Sequence, residues 1–193
     1  MIEIEALYKE IISCTVCEHA LSLGANPVLT IGERSKILII GQAPGLKVHQ
    51  SGIPWDDQSG KELRNWLGVT EQEFYNPDNF AIVPMGFCYP GKGKNGDLPP
   101  RRECAPLWHE RIRMQLTQVE LTLLIGQYAQ SYYLGKQKQW TLTDTVKDFA
   151  SYLPEYFVLP HPSPRNFIWM AKNQWFKEET VPVLQERVRQ ILS

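Results

Sequence analysis

Four cysteines and two turns carry the chemistry open to this sequence. Cys14 and Cys17 form a C-x2-C pair, and Cys88 and Cys104 follow much later. In a reducing cytoplasm two structural disulfides are disfavoured, and C-x2-C spacing suits adjacent corners of one metal or one cluster. Four thiolates fit either tetrahedral zinc or a [4Fe–4S] cluster, and spacing alone does not separate the two. The first turn lies in Lys36 to Gly45, KILIIGQAPG, where the aliphatic run Ile37 to Ile40 stops at Gly41 and a Gln-Ala-Pro-Gly turn follows. A continuous apolar run closed by a breaker reads as a strand buried on both faces. In open α/β folds ligands sit beyond the carboxyl ends of such strands, where backbone N–H groups become available, so this turn is a candidate pocket wall. The second turn, Leu159 to Asn166 (LPHPSPRN), closes another apolar run, Tyr156 to Leu159.

The elements that must position these residues follow from periodicity. Ile4, Leu7, Tyr8, Ile11 and Ile12 mark an amphipathic helix over residues 2–13 that delivers Cys14. The polar, Gly/Pro-punctuated stretch Gln42 to Gln58 reads as a loop over the strand end, and Ser59 to Leu67 as a helix with Leu63, Trp66 and Leu67 inward. Phe80 to Met85 and Leu121 to Ile125 are further strands. Between them lie a mobile basic loop, Tyr89 to Pro100, and a helix from about Arg101 to Leu116 that holds Cys104. A helix near Gln127 to Leu134, the strand ending at Leu159 and a closing helix from Asn173 to Leu192 complete the chain; Lys136 to Pro154 gives no clear pattern. Strands alternating with helices imply an α/β fold, a three-layer α/β/α domain on a mostly parallel four-stranded sheet.

Composition bounds the rest. The 193 residues allow one domain, taken as 1–193, and 43% hydrophobic with 11% aromatic residues supply a core. No run nears the roughly 18 apolar residues that span a bilayer, and MIEIEALYKEII carries acids where a signal peptide carries basic residues. The expectation is a cytoplasmic protein without membrane contact, and a monomer. The net charge of −1 gives no global attraction to nucleic acid, so any such contact needs a local basic patch.

From Cys14 to about Phe176 the chain resembles the uracil-DNA glycosylase superfamily. GQAPG is similar to its first motif, HPSP at His161 to Pro164 to its second, and SGIPWDDQSG at Ser51 to Gly60 to the loop after the first. The spacing of Cys14, Cys17, Cys88 and Cys104, with PPRREC before the last, resembles the cluster ligands of the iron–sulfur bacterial and archaeal branches, its fourth and fifth families. The resemblance implies a DNA-repair enzyme that flips uracil or another deaminated base out of damaged DNA and cleaves its N-glycosidic bond. It also implies a structural [4Fe–4S] cluster, with zinc, or loss of the cluster on purification, as the alternatives.

Carried onto this sequence, the resemblance makes His161 the hydrogen-bond donor to the departing base. Gly41, Gln42 and Ala43 become the backbone around that base, and Trp55 the aromatic that stacks on it. Ser163, Arg165, Asn166, Lys92 and Lys94 are the expected DNA contacts. Three positions depart from the pattern. Gln42 and Ala43 stand where related branches carry a Glu or an Asp, and Pro84 stands where an Asn reads the uracil edge. The carboxylate then falls to Asp57 in DDQSG rather than its neighbour Asp56. The alternatives for Asp57 are a solvated loop acid or the cap of the next helix. These departures keep open a non-catalytic relative that binds nucleic acid or a free base.

Overall fold

The computed structural model describes residues 3–94, 96–135 and 141–193. Residue 95, inside the expected basic loop, and residues 136–140, inside the stretch without a pattern, lie outside the described residues, as do residues 1–2. A four-stranded parallel sheet forms the middle layer: β1 (Ile37–Ile40), β2 (Phe80–Ile82), β5 (Leu121–Ile125) and β6 (Tyr156–Leu159), in the order β2-β1-β5-β6. The short pair β3 (Lys92–Gly93) and β4 (Gly96–Asp97) forms a separate antiparallel ladder in the expected basic loop.

The sheet is buried on both faces because its side chains alternate between two cores. Ile37 and Ile39 pack with Leu63, Trp66, Leu184 and Val188, the inner faces of α3 (Gln58–Leu67) and α9 (Val181–Leu192). Leu38 and Ile40 pack on the other side with Leu7 and Ile11 of α1 (Ile4–Ile12) and with Trp108 and Ile112 of α5 (Cys104–Gln115). These are the three layers expected. Some details differ from the sequence reading. Leu46–Ser51 is a short helix (α2) inside the expected loop, and the closing helix starts with a π-helical turn, Phe176–Thr180, before α9. Among the described residues no helix is long and apolar enough to cross a membrane.

Strand order sets where a pocket can form. The chain leaves β1 for β2 on one side and returns across to β5 on the other, so a crevice opens beyond the carboxyl ends of β1 and β5. The floor of that crevice continues from β2 as Val83–Tyr89, all buried. His109 of α5 anchors it: Nε2–H donates to the Pro84 carbonyl at 3.0 Å, and Nδ1 accepts the Tyr133 hydroxyl at 2.7 Å. The carbonyl can only accept, which fixes the tautomer. Burial pushes the His109 pKa down to about 4, only partly offset by the Pro84 bond.

Below the ordinary imidazole value of about 6.5 the unfolded chain therefore takes up a proton that the folded chain refuses. Stability should be full above that value and fall by up to about 3 kcal/mol as pH drops toward about 4. Urea denaturation at about pH 7 and about pH 4.5 should show a steeper loss for the wild type than for His109→Gln. Equal losses would clear His109 of that role.

Candidate active site

The GQAPG turn after β1 and the HPSP turn after β6 meet on one cavity of about 430 Å³, as the parallel topology requires. Gly41, Gln42 and Ala43 line it on one side, His161 and Ser163 on another, with Trp55 and Asp57 between. The GQAPG turn is fixed through its carbonyls: Gly41 accepts from Met85 N–H at 2.9 Å and Gln42 from Gly86 N–H at 3.0 Å. Among the described residues the N–H groups of Gln42 and Ala43 have no hydrogen-bond partner, so both donors remain available.

Trp55 takes its place by close approach to two glycines. Its indole lies over Gly41, where an added Cβ would stand 2.9 Å from Cζ2. Its own carbonyl occupies the space a Cβ on Gly60 would need. Trp55 itself has φ +58, a left-handed conformation that costs a bulky residue about 1–3 kcal/mol and persists only where packing imposes it. The indole packs against His161 with ring centroids 5.5 Å apart and planes inclined at 32°.

His161 begins the turn after β6, and Asn166 holds the turn closed by donating from Nδ2 to the His161 carbonyl at 2.7 Å. From the third strand of this edge, Gly126 (φ +81) lets the chain pass within 3.7 Å of His161 Cβ, measured from where its own Cβ would stand. Burial lowers the His161 pKa, while the negative charge of Asp57 opposes the shift. The imidazole is therefore neutral at neutral pH and carries one N–H. Asp57 takes the cap role open to it in the sequence and also stands at the cavity. It is the N-cap of α3, with Oδ1 accepting from Gly60 N–H at 2.8 Å, and it also lines the cavity close enough to act on His161. Asp56 instead pairs with Lys47 at 3.3 Å, outside the cavity lining.

The other expected residues divide. Ser163, Arg165 and Asn166 line the cavity, and the Arg165 guanidinium lies against Gly96 of the hairpin. Lys92 and Lys94 are exposed on that hairpin and do not reach the cavity lining. Pro84 is part of the lining, where the resemblance led one to expect an amide. The sequence reading missed Asn166 as a brace for His161. It also missed Gln130, whose Nε2 donates to Leu159 O at 2.9 Å and ties β6 to the helix after β5. An isolated polar residue at a buried helical position was the only signal for Gln130.

The four cysteines are all free thiols, three buried and Cys14 partly exposed. They gather in one place: Cys17, Cys88 and Cys14 each act electrostatically on Cys104. Burial raises the thiol pKa values of Cys17, Cys88 and Cys104, that of Cys104 to about 12, while the Phe87 N–H donates to the Cys104 sulfur. Among the described residues no group of three or more His, Cys, Asp or Glu side chains is arranged to hold a metal ion. Cysteine sulfurs are suitable donors for a metal or a cluster, but among the described residues their arrangement does not form a metal site.

Comparison with known proteins gives the family. The sequence model described as "Uracil DNA glycosylase superfamily" matches residues 30–185. The chain belongs to that superfamily. Among solved structures it is similar to a Methanosarcina acetivorans protein, determined by solution NMR and described as a candidate uracil DNA glycosylase. That match has 15% identity and a TM-score of 0.46, over 83% of this chain and 98% of the other. It is also similar to the Pedobacter heparinus SMUG2 crystal structure, with 15% identity and a TM-score of 0.39, over 81% and 73% of the two chains. Within the superfamily match fall both turns, Trp55, Asp57, Cys88 and Cys104; Cys14 and Cys17 lie ahead of it.

The dependence of the cavity wall on Gly60 is open to test. Gly60→Ala should destabilise the fold by about 1–3 kcal/mol, although alanine is intrinsically the better helix residue by about 1 kcal/mol. The urea midpoint should fall and tryptophan emission should shift. An unchanged or higher midpoint would mean that α3 and Trp55 do not bear on each other.

Proposed function

We propose that this protein is a DNA glycosylase that hydrolyses the N-glycosidic bond of uracil or another deaminated base flipped into the cavity. The observation that carries the reading is the meeting of a neutral His161 with the unpartnered N–H groups of Gln42 and Ala43 in one cavity walled by Trp55. As the bond to the sugar breaks, negative charge collects on the base and positive charge on the sugar. The His161 N–H and the two backbone N–H groups are donors suited to the base anion, and they need no reorganisation to act. Asp57 supplies the opposite charge, facing the sugar cation. Trp55 offers an apolar face for stacking, and Arg165, Ser163, Asn166, Lys92 and Lys94 are proposed contacts to the DNA backbone.

The test is excision from oligonucleotides bearing uracil, hypoxanthine or xanthine. His161→Ala should lower the single-turnover rate at least about 10²-fold, the loss expected for one anion donor at roughly 3 kcal/mol, with DNA affinity far less changed. Asp57→Asn should lose most of the activity while the helix stays capped, because Asn caps about as well as Asp. Equal losses of binding and rate in His161→Ala would give that residue a structural role instead. A second reading, a non-catalytic relative that binds nucleic acid or a free base, draws on one observation: the turn bears no acid, and half of the Asp57 carboxylate is committed to a cap. Base binding without excision by the wild type would establish it.

The four cysteines are proposed to hold a structural [4Fe–4S] cluster that would join α1, the Val83–Tyr89 segment and α5, in a cytoplasmic monomer. Such a cluster would take no part in the hydrolysis. Aerobically purified protein should absorb broadly near about 400 nm. A colourless preparation with stoichiometric zinc would replace the cluster by the zinc alternative.

A further inference from the structure

The cavity has a second carboxylate. The β3–β4 hairpin brings Asp97 to the lining, with Oδ2 3.7 Å from where a Cβ on Gly45 of the GQAPG turn would stand. The hairpin is closed at its base by Leu98 N–H donating to Gly91 O at 2.8 Å, and the Leu98 side chain joins the same lining. Tyr89, only 4% exposed, points its hydroxyl at Asp97 and donates to Oδ1 at 3.4 Å. A buried phenol hydroxyl is costly unless it finds an acceptor, and here the acceptor is a carboxylate at the cavity. Burial and the charge of Asp97 both push the Tyr89 pKa up, so the phenol stays protonated and continues to donate.

The two carboxylates differ in a way that assigns them different work. Asp57 has one oxygen fixed by the Gly60 N–H and lies beside the desolvated His161. Asp97 is solvent-exposed, and among the described residues it has no ion-pair partner. It can meet a water molecule and pass a proton on to bulk solvent. On the glycosylase reading above, we propose that Asp97 is the carboxylate that activates the attacking water, while Asp57 provides fixed negative charge. The water oxygen forms the new bond to the anomeric carbon. The electron pair of the carbon–nitrogen bond leaves with the base. One water proton goes to Asp97 and then to solvent, and the base anion takes a proton from solvent. One water is consumed and nothing is oxidised or reduced.

The experiment uses the full chain and the same oligonucleotides in single-turnover assays, with binding measured separately. Asp97→Asn should lower the rate about 10²-fold or more, the usual contribution of a general base, with substrate affinity unchanged. Asp97→Glu should restore part of the rate, since it returns the carboxylate. Tyr89→Phe should give a smaller loss of rate at unchanged affinity, and Asp56→Asn none. Excision by the wild type with an unchanged rate in Asp97→Asn overturns the proposal and leaves the glycosylase reading standing. Weaker binding at an unchanged rate overturns it too and makes Asp97 a substrate contact. A loss that Asp97→Glu does not restore, together with a lower melting temperature, makes Asp97 structural. No excision of any base by the wild type overturns the glycosylase reading and this proposal with it.

Discussion

Trp55 holds a left-handed backbone and presses on two glycines from two different elements, and the cavity is organised by that contact. Gly41 ends the strand β1 and Gly60 lies in the first turn of α3; neither could carry a side chain and keep the indole where it is. The same Gly60 gives its N–H to Asp57. A three-residue reach of chain thus starts a helix, sets an aromatic wall and orients a carboxylate. None of these can shift without the others, because the space and the hydrogen bond belong to the same residue.

Around this unit the parallel sheet does the long-range work. Parallel strands bring the ends of β1, β5 and β6 to one edge, so turns far apart in sequence supply backbone donors, a glycine passage and an imidazole to one place. The chemistry of His161 then follows from its surroundings. Withdrawal from water disfavours the imidazolium, and Asp57 restores only part of what is lost. A neutral ring with one N–H can act as a hydrogen-bond donor. Behind the floor, His109 is held neutral by the same kind of burial and fixes Pro84 from below.

Much of this was legible in the sequence where a single force dominates. The strands Ile37–Ile40, Leu121–Ile125 and Tyr156–Leu159 coincide with their apolar runs, because a strand covered on both faces needs no polar residue. The two turns, Trp55 and the gathering of the four cysteines also followed from motif and spacing. What was not legible depends on tertiary contact. LKVHQS has no clear apolar stripe, so α2 was read as loop, and Phe80–Met85 was read as a strand although only Phe80–Ile82 pairs. Lys92 and Lys94 drew the hairpin into a reading about charge, and its ladder is too short to leave a period of two. Asn166, Gln130 and Tyr89 act through hydrogen bonds to residues that only the fold brings near, which no local pattern encodes.

The cap and the catalytic roles of Asp57 looked exclusive in the sequence because each claims the same side chain. A carboxylate has two oxygens, and in this fold only one of them is claimed by the helix. Fixing Oδ1 on Gly60 removes the freedom of the whole group, so the charge beside His161 is already ordered before any substrate arrives. Charge that is fixed beforehand stabilises a developing cation without a reorganisation cost. Asp97 has the complementary character: it is exposed, it is held by one hydroxyl, and it stands on a hairpin at the edge of the cavity. On the proposed glycosylase reading, a GQAPG turn without an acid therefore need not leave the cavity without the charge that glycosidic cleavage demands. Two loops that the turn itself faces can each bring one carboxylate, one rigid and one open to water.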